Sequence, residues 1–111
     1  MPKISACIIS FNEENKIREC IESLLPVVDE IVVVDTGSSD RTVEIAKSYG
    51  ARLFHQPWEG DFSKHRNYSI DQATGDWVFI IDADERMTDN DIPVLRRHLK
   101  ESAAEIMAVN V

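Results

Sequence analysis

The sequence EIVVVDTGSSDRTVEIAKSYG, residues 30–50, carries the clearest structural signal in the chain. Four consecutive apolar, β-branched residues predict a strand over residues 30–34 that is covered on both faces, as in a parallel sheet. A polar turn at residues 35–40 follows it, and a helix is predicted from about residue 41 to 49. Gly50 is well placed to end that helix. The stretch therefore predicts one strand–turn–helix unit.

The same alternation continues on both sides of this unit. Further strands are predicted over residues 4–10, 51–55, 77–81 and 105–111. Further helices are predicted over residues 12–25, 61–73 and 89–100. Asn12 and Asp61 are the expected caps of the first two, which Pro26 and Gly75 end. Such alternation predicts an α/β fold, with a mostly parallel sheet and flanking helices.

The composition indicates a single acidic domain. The chain has 111 residues and a formal net charge of −8, which argues against nucleic acid and against a polybasic membrane surface as partners. No apolar run approaches the roughly 20 residues that a membrane helix needs. Met1-Pro2-Lys3 leads directly into the first strand, without a signal peptide. Cys7 and Cys20 fit buried thiols rather than a disulfide, so we expect a cytoplasmic location.

Ligands of parallel α/β sheets bind outside the carboxyl ends of the strands. In this chain those ends are predicted at residues 10–14, 35–40, 55–58 and 82–85. Asp82-Ala83-Asp84 places two carboxylates at the end of a buried strand, and such hard oxygen ligands suit Mg²⁺ or Mn²⁺ shared with a substrate phosphate. A helix cap or a solvated loop is the alternative interpretation of these two acids.

Two other strand-end residues have both a structural and a functional interpretation. Asp35 either makes an Asx turn, with Gly37 at positive φ, or accepts a hydrogen bond from a ligand. Phe11 is either a core aromatic or a flat face for a nucleobase. Both interpretations stay open on the sequence.

Basic and aromatic residues near the third helix also have two interpretations. Arg66 either lies on a solvated helix face, together with Lys64 and His65, or contacts a diphosphate. Trp58 either packs on the sheet, which we favour, or lines a pocket, while Trp77 is expected in the core. The residues by themselves thus predict a cleft for a metal-complexed phosphate ligand.

Four motifs, taken together, resemble the family 2 glycosyltransferases, which have the nucleotide-sugar-binding GT-A fold. They are ISACIISFNEE at 4–14, VVDTGSSD at 33–40, HRN at 65–67 and GDWVFIIDAD at 75–84. Thr36 departs from the pattern, since the family usually carries a second acid there. The lead-in Asp61-Phe62-Ser63 resembles the bacterial branch that includes lipopolysaccharide-core β-glucosyltransferases. The resemblance implies the Rossmann-like, nucleotide-sugar-binding half of a GT-A fold.

The resemblance also implies a role for each matching position. Phe11 would stack on the nucleobase, usually uracil, and Asp35 would accept a hydrogen bond from its ring N–H. Arg66 would contact the diphosphate, Asp82 would lie near the ribose and the metal, and Asp84 would hold Mn²⁺ or Mg²⁺. The complete set implied in nucleotide-sugar binding is Phe11, Asn12, Glu13, Asp35, Arg66, Asp82, Ala83 and Asp84.

The family is inverting, with a carboxylate as general base on the acceptor hydroxyl. That base lies well beyond the D-x-D motif in the family, and the late acids of this chain, at positions 89, 91, 101 and 105, do not match its place. Residues 1–111 are therefore expected to be the donor-binding part of a shortened glycosyltransferase domain that is inactive alone. The implied partners are a UDP-sugar and a glycan or lipid-linked acceptor of cell-envelope or lipopolysaccharide synthesis, in the cytoplasm or at the inner face of the membrane.

Two other classes of protein stay open on the sequence. A signalling receiver domain is also α/β and acidic, and Glu13 with Glu14 resembles its acidic pair, but the late strands supply no matching Lys. A non-catalytic interaction module would pair its last strand, residues 105–111, with another chain. A homodimer is expected if that strand lies at a sheet edge.

Overall fold

The computed structural model describes residues 3–84 and 106–108. Strands and helices alternate in the order β1 (Ile4–Ser10), α1 (Ile17–Leu24), β2 (Glu30–Asp35), α2 (Thr42–Ser48), β3 (Arg52–His55), α3 (Phe62–Gln72), β4 (Trp77–Asp82) and β5 (Ile106–Ala108). These strands form one sheet in the order β3-β2-β1-β4-β5, and every neighbouring pair is parallel. The predicted α/β fold with a parallel sheet and flanking helices is confirmed.

The two faces of the sheet pack against different helices. On β1, Ala6 and Ile8 belong to the core cluster that includes buried residues of α1 and α2. Cys7, between them, belongs to a second cluster against which Ile70 of α3 packs. Successive side chains of a strand point to opposite faces. A strand between two helical layers is therefore apolar at most positions, which explains the apolar runs of β1, β2 and β4.

The first helix begins later than predicted, and Asn12 does not cap it. α1 starts at Ile17, after Lys16, which makes no side-chain capping hydrogen bond. Asn12 has a left-handed φ of 49°. Its N–H donates to Ser38 Oγ at 2.8 Å, and its Oδ1 accepts from the Ser39 N–H at 2.8 Å. Because these tertiary hydrogen bonds hold Asn12 outside the helix, the predicted cap is wrong.

Asp61 caps α3 as predicted, whereas Gly75 does not end it. The Asp61 side chain accepts a hydrogen bond from the Ser63 N–H at 2.9 Å. The helix ends at Gln72, and Gly75 lies against β1, where a Cβ atom would come within 2.5 Å of Ser5 Oγ. Gly75 is therefore required by the close approach of two backbone segments, not by helix termination.

The predictions for the core and for the C-terminal part have different outcomes. Trp77 is 3% exposed, and Cys7 and Cys20 are both buried thiols, as predicted. Burial raises the pKa of the Cys7 thiol to about 11, so this thiol stays protonated at neutral pH.

The predicted helix over residues 89–100 lies outside the described residues, and of the predicted strand over residues 105–111 only β5 is described. None of the helices in the described part of the chain is long and apolar enough to cross a membrane.

Candidate functional site

A pocket of about 530 Å³ lies at the carboxyl ends of the strands. Segments that follow β1, β2, β3 and β4 all contribute to it, and these are the four places where the sequence predicts ligand binding. The lining residues are Ile9, Ser10, Phe11, Glu13, Thr36, Trp58, Phe62, Asp82, Ala83 and Asp84. Since the strands are parallel, their carboxyl ends meet at one edge, and the sheet itself brings these residues together.

Phe11 presents its ring to the pocket. It follows β1 directly, it is 56% exposed, and it lines the pocket together with the half-buried Glu13. The interpretation of Phe11 as a core aromatic is therefore wrong. An exposed aromatic face inside a pocket is a surface on which a nucleobase can stack.

Asp35 ends β2 and is only 2% exposed. Its Oδ1 accepts hydrogen bonds from the hydroxyls of Ser10 and Ser38, and its Oδ2 accepts from the N–H groups of Gly37, at 3.1 Å, and Ser38, at 2.8 Å. Gly37 has a φ of 124°, so the Asx-turn interpretation is confirmed. The neighbouring Thr36, not Asp35, lines the pocket. Contact of Asp35 with a ligand stays a prediction.

Main-chain N–H groups of the loop after β1 donate hydrogen bonds to side chains of the loop after β2 and of the start of α2. The Glu13 N–H donates to Thr42 Oγ1 at 2.8 Å, and the Glu14 N–H donates to Asp40 Oδ2 at 3.2 Å. Together with the two hydrogen bonds of Asn12, they fix one wall of the pocket relative to the other. Asn12 itself is exposed and does not line the pocket, so its ligand role stays a prediction.

Two carboxylates follow β4 and line the pocket. Asp82 is half-buried and pairs in register with Ile9 of β1. Ala83 is 2% exposed, and Asp84 is exposed. The structure thus brings both acids of the D-x-D motif to the same pocket as Phe11 and Glu13.

This donor set fits a divalent cation that is shared with a ligand. Mg²⁺ and Mn²⁺ prefer oxygen ligands, and Mg²⁺ usually takes one or two carboxylates plus substrate phosphates and water. Within residues 3–84 and 106–108, no group of three or more His, Cys, Asp or Glu side chains could hold a metal ion. Asp82 and Asp84 would supply two oxygen ligands to the cation, and a ligand phosphate and water would supply others. Such a cation would neutralise the charge that develops on a leaving diphosphate.

Trp58 and His65 form an aromatic pair at the β3 side of the pocket. Trp58 is 54% exposed and lines the pocket, so the favoured interpretation that it packs on the sheet is wrong. His65 is completely buried and does not lie on a solvated helix face. The two rings stack, with centroids 5.0 Å apart and an interplanar angle of 18°. No local sequence pattern indicates this pair, because the loop after β3 meets α3 only in the folded chain.

Arg66 lies beside the pocket wall and is half-buried. Its guanidinium carbon is 6.0 Å from the centroid of the Phe62 ring, and Phe62 lines the pocket. The ion pairs found within the described residues involve Arg41, Arg52 and Lys64. The charge of Arg66 is therefore not neutralised by a described carboxylate and lies near the ring that borders the pocket.

Five lining residues are absent from the sequence-based set, namely Ile9, Ser10, Thr36, Trp58 and Phe62. Two of them have a detectable signal: Thr36 follows a strand-end acid, and Phe62 follows a helix cap at the same edge of the sheet. Ser10 lies at a predicted strand end, whereas Ile9 lies within β1, so only the three-dimensional arrangement identifies Ile9.

The sequence matches a known family over nearly its full length. The profile of glycosyl transferase family 2 matches residues 5–111. A TPR repeat-containing protein of Synechococcus elongatus is 46% identical over 87 residues, which are 78% of this chain and 22% of that protein. An uncharacterized glycosyltransferase of Rickettsia typhi is 42% identical over 88 residues, which are 79% of this chain and 30% of that relative. The chain thus spans less than a third of either relative.

Solved glycosyltransferase structures have the same fold. TarS 1–349 of S. aureus has a TM-score of 0.72 and 28% identity, over 89% of this chain and 32% of that chain. The glucosyl-3-phosphoglycerate synthase of Mycobacterium tuberculosis, in complex with UDP, has a TM-score of 0.67 and 32% identity, over 76% of this chain and 34% of that chain. The same synthase has also been solved with Mn²⁺ and UDP-glucose. These neighbours confirm the GT-A fold.

The family match replaces the alternative of a signalling receiver domain, because it includes the strand-end motifs that a receiver leaves unexplained. These motifs are also the segments that form the pocket. With the profile match over residues 5–111 and the shared GT-A architecture, the chain belongs to glycosyl transferase family 2.

Proposed function

We propose that residues 1–111 are the donor-binding part of an inverting glycosyltransferase domain. In the proposed reaction an acceptor hydroxyl displaces the nucleoside diphosphate at the anomeric carbon of the sugar, and a carboxylate base takes the hydroxyl proton. One observation carries the proposal: the pocket joins Phe11 and Glu13 from the β1 end to Asp82 and Asp84 from the β4 end. An aromatic face and a carboxylate pair are the two features that a metal-complexed nucleotide needs.

The proposed donor is a UDP-sugar. Phe11 stacks on the uracil ring, because its own ring is exposed inside the pocket. Asp82 and Asp84 are the proposed ligands of Mn²⁺ or Mg²⁺ beside the diphosphate. Arg66 supplies positive charge next to Phe62, and its guanidinium matches the geometry of phosphate oxygens.

The proposed binding set also includes Asn12, Asp35 and Ala83, and each of them has a different role. Ala83 lines the pocket between the two acids, and its small side chain leaves room for the ribose and the diphosphate. Asn12 joins the first two loops through Ser38 and Ser39. The proposed contact of Asp35 with the ring N–H of uracil requires that a serine hydroxyl rotates away from the carboxylate, because intramolecular donors already occupy both of its oxygens.

The solved neighbours support the choice of donor and cation. The mycobacterial synthase was crystallised with UDP and with Mn²⁺ and UDP-glucose, and it shares the fold of this chain. We extend the same ligand class to this chain because its strand-end motifs form a pocket of matching chemistry.

The proposed acceptor is a glycan or lipid-linked molecule of cell-envelope synthesis, with lipopolysaccharide as the example. This choice rests on the Asp61-Phe62-Ser63 lead-in, and it implies that the protein acts in the cytoplasm or at the inner face of the membrane. A homodimer through the edge strand β5 is proposed on the sheet order, since β5 follows β4 at one edge of the described sheet.

Isothermal titration calorimetry with UDP and MnCl₂ tests the proposed donor site. We expect the unmodified chain to bind UDP, and Asp84→Ala to weaken binding roughly tenfold, because the variant lacks a carboxylate that holds the cation. EDTA should weaken binding to the unmodified chain and have little effect on Asp84→Ala. Asp71→Ala is the matched control, since Asp71 is exposed on α3 and does not line the pocket.

Two results would contradict the proposal. Absence of binding by the unmodified chain at millimolar UDP would remove the donor site. Equal affinity of Asp84→Ala and the unmodified chain would show that the D-x-D acids do not hold the cation, even if the nucleotide binds.

A further inference from the structure

Trp58 lines the pocket and stacks on a buried histidine, His65, and neither residue is among the proposed donor contacts. His65 is completely buried on α3, and Trp58, in the loop after β3, is 54% exposed. One face of the indole lies on the imidazole, with ring centroids 5.0 Å apart. The uncovered part of Trp58 lines the pocket.

Both ring nitrogens of His65 make hydrogen bonds to residues that flank Trp58. Nε2 accepts from the Glu59 main-chain N–H at 3.3 Å. Nδ1 lies 2.7 Å from Gln56 Oε1. Both ring nitrogens thus hold the loop that contains Trp58, one on each side of it.

The same loop is also fixed from the β2 side. The Gln56 N–H donates to the Asp35 carbonyl oxygen at 2.9 Å, and the Trp58 N–H donates to the Thr36 carbonyl oxygen at 3.3 Å. The indole is therefore held between the end of β2 and the first turns of α3. A side chain held from two directions in this way is a pre-organised contact surface rather than a mobile loop residue.

The strand order shows which part of a nucleotide would reach Trp58. Along the pocket edge the strands follow the order β3-β2-β1-β4. Trp58 lies in the loop after β3, and Asp82 and Asp84 lie at the end of β4. With adjacent strands about 4.8 Å apart, the ends of β3 and β4 are about 14 Å apart. A ligand whose diphosphate lies at Asp84 and whose base stacks on Phe11 would extend its nucleoside from β4 across β1 toward β2 and β3.

We infer that Trp58 is a further contact residue for the nucleobase of the donor, and that His65 is a positioning residue that holds the indole in place. The inference rests on the proposed donor site, because it takes the diphosphate to lie at the D-x-D acids. Phe11 after β1 and Trp58 after β3 then border the base from two sides, over the end of β2.

Calorimetry with UDP and MnCl₂ tests the contact. We expect Trp58→Ala to weaken UDP binding about tenfold, the loss typical of a deleted base–aromatic stack, and Trp58→Phe to stay within about threefold of the unmodified chain. Inorganic pyrophosphate with MnCl₂ is the matched probe without a base, and its affinity should be the same for all three proteins.

Tryptophan fluorescence gives a second, independent readout. The chain has two tryptophans, and Trp77 is 3% exposed, so acrylamide quenching reports mainly on Trp58. UDP should reduce the quenching constant of the unmodified chain at least twofold, whereas pyrophosphate should not change it. Trp58→Phe supplies the remaining signal of Trp77 for subtraction.

The positioning role of His65 is tested with His65→Phe, which keeps an aromatic ring under Trp58 and loses both hydrogen bonds. We expect acrylamide to quench Trp58 more strongly and UDP to bind several-fold more weakly. Because His65 is buried and its replacement could unfold the chain, Gln56→Leu serves as the second variant, since it removes only the Nδ1 partner from the loop. Circular dichroism melting curves identify any unfolded variant.

The outcomes separate this inference from the proposed function. If UDP binds the unmodified chain and Trp58→Ala equally, with no protection from acrylamide, the base contact of Trp58 is refuted and the donor site stands. If both His65→Phe and Gln56→Leu are folded and leave Trp58 quenching unchanged, the positioning role of His65 is refuted. If the unmodified chain binds no UDP, both the donor site and this inference are refuted.

Discussion

Glu30 begins β2 at the end of the sheet opposite the pocket, and donors from several segments converge on its carboxylate. Oε1 accepts from Ser5 Oγ at 2.7 Å and from the Thr74 N–H at 2.9 Å. Oε2 accepts from Thr74 Oγ1 at 2.9 Å and from Arg52 Nη1 at 3.0 Å. Burial alone would raise the pKa of Glu30, but these hydrogen bonds outweigh it and lower the pKa to about 2. One carboxylate thus links β1, β2, β3 and the connection before β4.

This lowered pKa predicts a pH-dependent contribution to stability. The unfolded carboxyl, with a pKa of 4.5, binds a proton at acidic pH where the folded one does not, so the contribution is complete above pH 4.5 and is lost as the pH falls toward 2. Glu30→Gln should lower the free energy of unfolding by about 2 kcal/mol at pH 7 and by much less near pH 2. Urea unfolding of both proteins across this range measures the difference.

Glu44→Gln is the matched control for the Glu30 experiment. Glu44 forms an exposed ion pair with Arg41 at 2.9 Å, so its replacement should change stability little at any pH. A Glu30→Gln penalty that stays constant from pH 7 to pH 2 would contradict the role assigned to the charged form.

Site residues were predicted from the sequence with unequal success, for a physical reason. Phe11, Glu13, Asp82 and Asp84 line the pocket as expected, because their place directly after parallel strands determines where they lie. Asp35 also lies at a strand end, yet its carboxylate accepts hydrogen bonds from Gly37 and Ser38 of its own turn and from Ser10 of β1. Which partner a buried acid meets depends on the conformation of the turn, and strand position alone does not specify it.

Of the three described helices, α3 is the one whose N-cap side chain makes a capping hydrogen bond. Its fully buried residues are the polar His65 and Ser69, and Ser69 Oγ donates to the carbonyl oxygen of Arg66 at 2.6 Å. A helix of 11 residues with little apolar burial gains little from packing, so local interactions at its start matter more. The first turn also carries Phe62, which lines the pocket.

We expect Asp61→Ala to lower the free energy of unfolding by about 1 kcal/mol, because the first turn of α3 loses the acceptor for the Ser63 N–H. Asp61→Asn keeps a side-chain oxygen at the same place and should retain most of this stability. Urea unfolding at pH 7 measures both variants. Equal losses in the two variants would show that the cap hydrogen bond is not the source of the stabilisation.

The boundaries of the elements show where local patterns are sufficient. The predicted strand over residues 4–10 agrees with β1, because a run of mostly apolar residues covers the whole strand. β2 and β4 each extend one residue further than predicted, to Asp35 and Asp82, because these acids pair in register with Ser10 and Ile9 of β1. The late start of α1 likewise follows from hydrogen bonds to a neighbouring loop. Contacts with neighbouring segments therefore determine where an element ends, whereas the local sequence determines where its interior lies.

For the molecule as a whole, the parallel sheet gathers separate motifs into one pocket. The motifs are spread over most of the chain, and the order β3-β2-β1-β4 places their ends along a single edge. In a protein with a net charge of −8, the acids at this edge would repel an anionic nucleotide, and a bound cation would offset that repulsion. The cation proposed above is therefore consistent with the overall charge.

We expect this 111-residue chain to bind UDP without transferring sugar from UDP-glucose, because no general base matches the family's place in its sequence. Release of UDP from UDP-glucose, followed by chromatography, measures transfer and hydrolysis together. The mycobacterial glucosyl-3-phosphoglycerate synthase, with phosphoglyceric acid, is the positive control for the assay. Sustained UDP release by this chain would contradict its assignment as a donor-binding part only.

The amino-acid pattern was sufficient for the α/β class, for the places of the strands and for the acidic strand ends. A strand buried on both faces is apolar at most positions, and parallel strands end at a common edge, so both features follow from local sequence. Only the three-dimensional contacts show that Trp58 lines the pocket and that the buried His65 stacks against it. They also show that the Asp35 carboxylate already accepts hydrogen bonds from its own turn and from Ser10. These properties depend on which loop packs against which helix, and the local sequence pattern does not specify such tertiary contacts.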